Sequence, residues 1–165
     1  MAAVITPARN DGVDAEAIAA IDHACFAQST VNIDAELERS WSHVWVARAS
    51  DERSEPRAFL LAWLVADELH VLSVATLPGF RRQGLARALL EHAIAFAHER
   101  KVRSILLEVR RSNRSAIRLY RGFGFSALGI RPRYYADNWE DAIEMALALD
   151  PRTGDVVLGR DEVEI

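Results

Sequence analysis

The period of the apolar residues changes at Pro78 and Gly79, and this change limits the folds open to the chain. Before it, residues 69–76 form a short apolar run typical of a strand. After it, a helical period up to about residue 100 predicts an amphipathic helix, since Leu85, Leu89 and Ala93 share one face. A strand that leads through a short glycine-containing loop into a helix is typical of α/β proteins. We therefore expect an α/β fold.

The other segments follow strand and helix patterns in turn. Strands are predicted at residues 3–8, 44–49, 58–66, 69–76, 104–110, 125–131 and 140–149. Helices are predicted at residues 14–26, 34–41, 85–100 and 113–123. The order βααβββαβαββ indicates a mixed central sheet of about seven strands flanked by about four helices, with an antiparallel meander before Pro78.

Length and composition predict one soluble domain. The 165 residues are 50% hydrophobic, enough for a single core, which we place at residues 1–149. Residues 150–165 have an acidic end and are expected to be a tail or edge extension. No apolar run is long enough for a membrane span and no secretory pattern is present, so we expect a cytoplasmic protein.

Charge and ligand residues exclude several kinds of site. The net charge of −4 argues against nonspecific nucleic-acid binding. Cys25 is the single cysteine, so it excludes an intrachain disulfide and is expected to serve packing. The five histidines lack the spacing of metal ligands, and we expect no metal.

The loop that follows Gly79 has the features of an anion site. Backbone N–H groups at the start of a helix have no partner within the helix and attract negative groups. Gly84 permits close approach of the backbone to a diphosphate, and the side chains of Arg81, Arg82 and Arg87 can add charged contacts. The alternative is an ordinary loop that carries a few arginines.

This loop resembles the pyrophosphate motif of the GNAT (GCN5-related N-acetyltransferase) family, Q/R-x-x-G-x-G/A, which Arg81, Gly84 and Ala86 satisfy. The resemblance spans roughly residues 5–147 and sharpens towards the RimI-like branch, the bacterial ribosomal-protein-alanine N-acetyltransferases. It is carried by residues 107–110, 112–113, 119–120, 124–125, 131, 134–135, 140–142 and 145. It implies the GNAT fold and an acetyl-CoA cosubstrate held by Arg81, Arg82, Gln83, Gly84, Leu85, Ala86 and Arg87.

Glu108 is the candidate general base. In residues 104–110, Ile105, Leu107 and Val109 share one face, which places Glu108 on the other. A carboxylate in an apolar strand either pairs with a neighbouring arginine or removes a proton, here from an amine through a water. In the RimI-like enzymes the matching glutamate is assigned the second role.

The helix at residues 113–123 places Asn113, Ile117 and Tyr120 on one face. Asn113 is either a helix cap or, as the resemblance implies, a contact to CoA. Tyr120 is either a packed aromatic or the general acid that protonates the leaving thiolate after direct attack of the amine on the thioester. By analogy with the family, backbone N–H groups of Val74, Ala75 and Thr76 hold the acetyl carbonyl.

The acceptor amine is the least constrained feature. At a pH of about 7.5, an α-amine is roughly one-third neutral and a lysine roughly 0.1% neutral, which favours N-termini. Tyr134 and Tyr135 resemble the tyrosines with which this branch grips a peptide, although they could be packing aromatics of a hairpin. Two departures from the branch are residues 26–30, where Pro-Trp is usual, and Pro132, where a second arginine is common.

Three functions therefore stay open. The first is acetylation of a protein N-terminus, with a ribosomal protein as the candidate partner. The second is a GNAT enzyme that acts on a small amine or a lysine. The third is a non-catalytic acyl-CoA-binding module, which the presence of both Glu108 and Tyr120 disfavours.

Overall fold

The computed structural model describes residues 2–29 and 31–165, so Thr30 of the departing segment 26–30 lies outside the described residues. The helices are α1 Val13–Cys25, α2 Ile33–Glu38, α3 Leu85–Glu99 and α4 Arg114–Phe123. The strands are β1 Val4–Pro7, β2 Ser42–Arg48, β3 Pro56–Val65, β4 Glu68–Thr76, β5 Ser104–Arg110, β6 Ser126–Tyr135, β7 Glu140–Leu149 and β8 Val156–Val157. The predicted order βααβββαβαββ is confirmed, and β8 follows it.

The strands form a mixed sheet in the order β1-β2-β3-β4-β5-β7-β6, with β8 paired to β7. The pairs β1–β2 and β2–β3 are antiparallel, as the predicted meander requires. β4 and β5 are parallel, with Glu68 opposite Ser104. A parallel pair needs a crossover connection, and α3 occurs in the chain between these two strands.

The chain divides into two compact units, Met1–Leu64 with Leu72–Ile94 and Val65–Val71 with Ala95–Ile165. The core of the first unit is built from small and branched apolar side chains of α1, α2 and the early strands. These are Ala15, Ile18, Ile21, Ile33, Val44, Val46, Phe59, Leu61 and Ala75.

The second unit buries alternate side chains of its strands, as a half-buried strand requires. On β5 these are Ile105, Leu107 and Val109, which confirms the face predicted for them. On β7 they include Ile143 and Met145. Glu108 therefore lies on the opposite face of β5 from the buried residues, and its side chain is 31% exposed.

A buried ion pair joins α1 to β2 in the first unit. Arg48 and Asp14 have side chains 1% and 0% exposed, and an Nη of Arg48 donates to Asp14 Oδ2 at 2.5 Å. Arg48 also donates to the Ser54 carbonyl at 2.7 Å and to Thr6 Oγ1 at 3.3 Å. Removal of Asp14 would take the paired charge from the buried Arg48 guanidinium, while removal of Arg48 would leave Asp14 with its contact to Arg9 at 3.3 Å. Loss of either partner is therefore expected to destabilise this unit.

Asp14 makes the stability of the first unit sensitive to acid. Burial alone would raise the pKa of Asp14, but the hydrogen bonds from Arg48 and Arg9 outweigh it and hold the pKa below the ordinary 3.8. The stabilisation is therefore complete above that value and is lost as the pH falls through the lower value of the folded state. We expect the melting temperature to drop steeply below a pH of about 4.

Thermal denaturation of the Asp14→Asn variant between about pH 6 and about pH 3 checks this expectation. The variant should melt earlier at neutral pH and lose less on acidification than the unaltered protein. Glu91→Gln, which changes an exposed carboxylate of α3, is the matched control and should keep the steep drop. An acid drop of the same size in Asp14→Asn would assign the lability to other carboxylates.

Two boundaries differ from the predictions by three residues or more. α2 ends at Glu38 and not near residue 41, because Arg39 is already extended and the Trp41 carbonyl accepts the Leu64 N–H at 2.8 Å. β6 continues to Tyr135, past Pro132, although it was predicted to end near residue 131. Its pairing with β7 shifts register between Arg131 and Tyr135, and this irregular stretch accommodates a proline that has no N–H.

Residues 150–165 make ordered contacts within the second unit. Val156 and Val157 pair with the end of β7. Farther along, Asp161 Oδ1 accepts the Ala127 N–H at 2.9 Å, and the Glu162 N–H donates to the Ala127 carbonyl at 2.8 Å. Arg121 of α4 binds the same Asp161 carboxylate at 2.9 Å. This segment therefore lies along β6, the last strand in the order of the sheet.

Candidate active site

The loop before α3 belongs to the first unit and has the backbone of an anion site. A 3-10 turn at Pro78–Phe80 ends the preceding strand, and Gly84 accepts the first helical hydrogen bond, from Ala88 N–H at 3.0 Å. Arg82 and Gly84 have φ values of 62° and 80°. Left-handed residues beside right-handed ones turn successive N–H groups to one side, which forms a concave anion-binding backbone. A left-handed arginine is uncommon, and the surrounding structure must hold it in place.

Arg81 has a local partner in this loop. Its Nε donates to the Thr76 carbonyl at 3.3 Å and an Nη lies 3.6 Å from Cys25 Sγ. The Cys25 thiol donates to the same carbonyl at 3.2 Å, in agreement with a packing role. Arg81 thus fixes the loop to the end of β4, while Arg82 and Gln83 are exposed. A contact from Arg81 to the cofactor stays a prediction.

The end of β4 carries the predicted carbonyl-binding backbone. Ala75 is buried in the core of the first unit, and Val74 and Thr76 are half-buried. An oxyanion-binding N–H must be held in a fixed direction, and the packing of Ala75 in this core is consistent with that requirement. The role of the backbone at Val74, Ala75 and Thr76 stays a prediction.

Glu108, on β5 of the second unit, makes two polar contacts. Its Oε2 accepts the Tyr134 hydroxyl at 2.7 Å, and its Oε1 lies 3.4 Å from Arg131 Nε. An arginine partner, the alternative role considered for Glu108, is therefore present. The Glu108 carboxylate is still partly exposed. A carboxylate held in place and open to water can serve as a general base.

Glu144 of β7 is a site residue that the sequence reasoning missed. Arg131 Nε donates to Glu144 Oε1 at 2.6 Å, so one guanidinium faces two carboxylates. The available signal was a second glutamate in the apolar run of residues 140–149, parallel to the argument made for Glu108. Arg131 and Glu144 are 13 residues apart in the sequence, so their contact cannot be recognised until the strand register is known.

Asn113 and Tyr120 lie at the start and in the last turn of α4. Asn113 is the helix cap, since its Oδ1 accepts the Ala116 N–H at 3.2 Å, and it is exposed. Tyr120 is 8% exposed, with its ring centroid 5.7 Å from that of Phe125. Burial raises the pKa of Tyr120 to about 12, so the phenol keeps its proton at neutral pH. Both structural alternatives are therefore present, and neither excludes a role in binding or catalysis.

Tyr134 and Tyr135 adjoin Glu108 at the end of β6. Their rings meet edge to face at 5.1 Å, and the Arg110 guanidinium lies 3.9 Å from the Tyr135 ring centroid. The hydrogen bond to Glu108, followed by burial, raises the pKa of Tyr134. Burial raises the pKa of Tyr135 to about 12. Tyr134 thus supports the candidate base, while its predicted contact with a peptide stays a prediction.

None of the helices in the described part of the chain is long and apolar enough to cross a bilayer.

The sequence is similar to two enzymes that carry the same name. The [Ribosomal protein bS18]-alanine N-acetyltransferase of Escherichia coli K12 is 47% identical over 94 residues, 56% of this chain and 64% of that enzyme. The enzyme of the same name from Haemophilus ducreyi is 37% identical over 95 residues, 56% of this chain and 66% of that enzyme. The matched region thus spans slightly less than two thirds of each relative.

Solved structures and a family model extend the similarity. The crystal structure of the ribosomal-protein-S18-alanine N-acetyltransferase from Escherichia coli matches with a TM-score of 0.77 and 29% identity, covering 99% of this chain and 100% of the other. Ard1 from Thermoplasma volcanium matches with a TM-score of 0.78 and 25% identity over 96% of this chain and all of that one. The model of the Acetyltransferase (GNAT) family matches residues 14–125, more than half of the chain. The chain therefore belongs to the GNAT family of acetyltransferases.

Proposed function

We propose that this chain is an acetyl-CoA-dependent N-acetyltransferase that acetylates the N-terminal α-amine of a protein in the cytoplasm. The observation that carries the proposal is the Glu108 carboxylate, which is bound by Tyr134 and partly exposed in a chain of this family. The names of its relatives in Escherichia coli and Haemophilus ducreyi support a ribosomal protein as the partner.

The loop of the first unit fits the cofactor. The N–H groups of Gly84, Leu85 and Ala86 precede the first bond of α3, so they are available to a diphosphate. A side chain at Gly84 would enter open space, which is the space that the diphosphate needs. Arg82, Gln83 and Arg87 are exposed around it, and the arginines add positive charge. Acetyl-CoA, when bound, supplies the acetyl group as a thioester.

Glu108 takes the proton in this proposal. A water hydrogen-bonded to the carboxylate accepts the proton of the incoming amine and passes one to Glu108, while the nitrogen bonds to the acetyl carbon. Tyr134 holds one carboxylate oxygen by a hydrogen bond of 2.7 Å and so fixes the direction of the other. The backbone N–H groups at Val74–Thr76 are assigned to the acetyl oxygen.

Tyr120 supplies the proton for the leaving sulfur. With a pKa of about 12 it is fully protonated at neutral pH and is a weaker acid than an exposed phenol. Its contribution is therefore a hydrogen bond that stabilises the developing thiolate, with proton transfer as the carbon–sulfur bond breaks. Asn113 is assigned to a contact with CoA, in addition to its cap.

The choice of amine is predicted to follow the peptide N-terminus. We expect short peptides that begin with Ala or Ser to be acetylated on the α-amine, because this amine is far more often neutral than lysine near neutral pH. The same peptides with a blocked N-terminus and an internal lysine should react at least about tenfold more slowly. Mass spectrometry of a peptide library incubated with acetyl-CoA identifies both the peptides and the modified nitrogen.

The tyrosines provide the matched variants for this test. Tyr135→Ala should raise KM for the peptide and leave KM for acetyl-CoA nearly unchanged. Tyr134→Ala should also lower kcat, because it removes the hydrogen bond to Glu108. Faster acetylation of a polyamine or of blocked lysine peptides than of every free N-terminus would contradict the proposed acceptor. Binding of acetyl-CoA without turnover on any amine would indicate a non-catalytic module.

A further inference from the structure

Two carboxylates face each other on neighbouring strands of the second unit. In the antiparallel pair of β5 and β7, Glu108 is directly opposite Glu144. Residues opposite each other have their side chains on the same face, where two like charges repel. The side chains are 31% and 36% exposed, so water screens this repulsion only in part. A counter-charge is needed, and Arg131 supplies it.

Arg131 is shared unequally between the two carboxylates. Its Nε–H is donated to Glu144 Oε1 at 2.6 Å, whereas Glu108 Oε1 lies 3.4 Å from the same nitrogen without accepting that bond. Both carboxylates raise the pKa of Arg131, with the hydrogen bond to Glu144 as the larger cause. The guanidinium thus balances the charge of the pair, and its Nε–H is directed away from Glu108.

The space for Glu144 comes from a glycine on the other neighbouring strand. Gly129 of β6 is opposite Glu144, and a Cβ at this position would lie 2.7 Å from Glu144 Oε2. A larger residue would force that carboxylate to move and would disturb its bond to Arg131. Three strands therefore cooperate to hold this arginine, with Gly129 and Arg131 on β6 and Glu144 on β7 beside Glu108 on β5.

We propose that Glu144 is a positioning residue for the acetyl transfer: by holding Arg131, it keeps the guanidinium from binding Glu108 and leaves Glu108 Oε1 able to take the proton of the amine. This inference rests on the function proposed above. A guanidinium bonded directly to a carboxylate stabilises its charged form and covers the oxygen that must accept the proton. Without Glu144, Arg131 has Glu108 as its remaining carboxylate partner among the contacts of this cluster.

A double-mutant cycle on the full chain tests the proposal. Glu144→Met keeps the side-chain length and removes the charge, so kcat at saturating peptide should fall about five- to tenfold. The double variant Glu144→Met with Arg131→Met has no guanidinium to capture Glu108. Its kcat should return to within about threefold of the Arg131→Met value. Glu144→Asp, which keeps the charge, should retain more activity than Glu144→Met.

A second measurement does not depend on turnover. A crystal structure of Glu144→Met should show the distance from Arg131 Nε to Glu108 Oε1 shortened from 3.4 Å to about 2.8 Å. Asp67→Asn, which removes an exposed ion pair with Arg103, is the matched control and should change neither kcat nor this distance. Melting temperatures verify that all variants are folded.

The outcomes separate this inference from the proposed function. Unchanged kcat in Glu144→Met, or no recovery in the double variant, would overturn the positioning role even with an active enzyme. An Arg131 that stays away from Glu108 in the Glu144→Met crystal would overturn it as well. An unaltered protein that acetylates no amine would overturn the proposed function, while the crystal structure would still decide whether Glu144 holds Arg131.

Discussion

Glu108→Gln is expected to lower kcat with peptide amines about 10²- to 10⁴-fold, the range that general-base catalysis supplies. The amide keeps the size of the side chain and can still accept the Tyr134 hydroxyl, so the fold around β5 should be preserved. Steady-state kinetics with peptide and acetyl-CoA measure the loss, and calorimetry measures the binding of acetyl-CoA. Because Glu108 is not among the residues assigned to acetyl-CoA, the affinity for acetyl-CoA should be retained.

Two further variants decide how this result is understood. Glu68→Gln removes another half-exposed carboxylate, on β4, and should leave kcat unchanged. Tyr120→Phe should reduce kcat in the same direction as Glu108→Gln, because the leaving sulfur loses its hydrogen-bond donor. Near-normal turnover in both Glu108→Gln and Tyr120→Phe would mean that these residues are structural and that another base acts.

Gly84→Val is expected to remove most of the acetyl-CoA binding, with a loss of about 10²- to 10³-fold in affinity. The side chain would occupy the open space beside the first N–H groups of α3 and displace two or three charge-assisted hydrogen bonds, worth about 1.5 to 3 kcal/mol each before compensation. The increase of the melting temperature with acetyl-CoA should then nearly disappear.

Valine at Gly84 also strains the backbone, since φ is 80°. Gly12 provides the matched control, because it has a φ of 81°, precedes α1 and has open space around a hypothetical Cβ. Gly12→Val should lower the melting temperature by a similar amount and retain the full shift with acetyl-CoA. An unchanged affinity in Gly84→Val would remove the pyrophosphate assignment from this loop.

The sequence predicts the elements of this fold better than their contacts. β5 and β7 have the predicted bounds because alternating apolar residues and flanking polar ones define them locally. The end of α2 could not be predicted, since the competing interaction is a hydrogen bond from Leu64, far along the chain. The continuation of β6 past Pro132 depends likewise on pairing with β7.

The same distinction applies to the candidate site. Glu108 was recognisable because a single carboxylate interrupts an apolar strand. The hydrogen bond from Tyr134 joins residues 26 positions apart, and the buried pair of Asp14 and Arg48 joins residues 34 apart. Such contacts depend on strand register and packing, which a pattern of residue types along one segment does not specify. The role of Glu144 became visible only with the register of three strands.

The contacts of Asp161 and Glu162 with Ala127 have a consequence for self-association. A strand at the margin of a sheet presents open N–H and C=O groups, and another polypeptide can add to them and begin aggregation. At Ala127 both groups are occupied by residues of the same chain. The carboxylate of Asp161 also places a charge beside that margin, and charges there discourage further pairing. We therefore expect the acidic C-terminal residues to oppose edge-to-edge association of the folded protein, a role separate from any part in acetyl transfer.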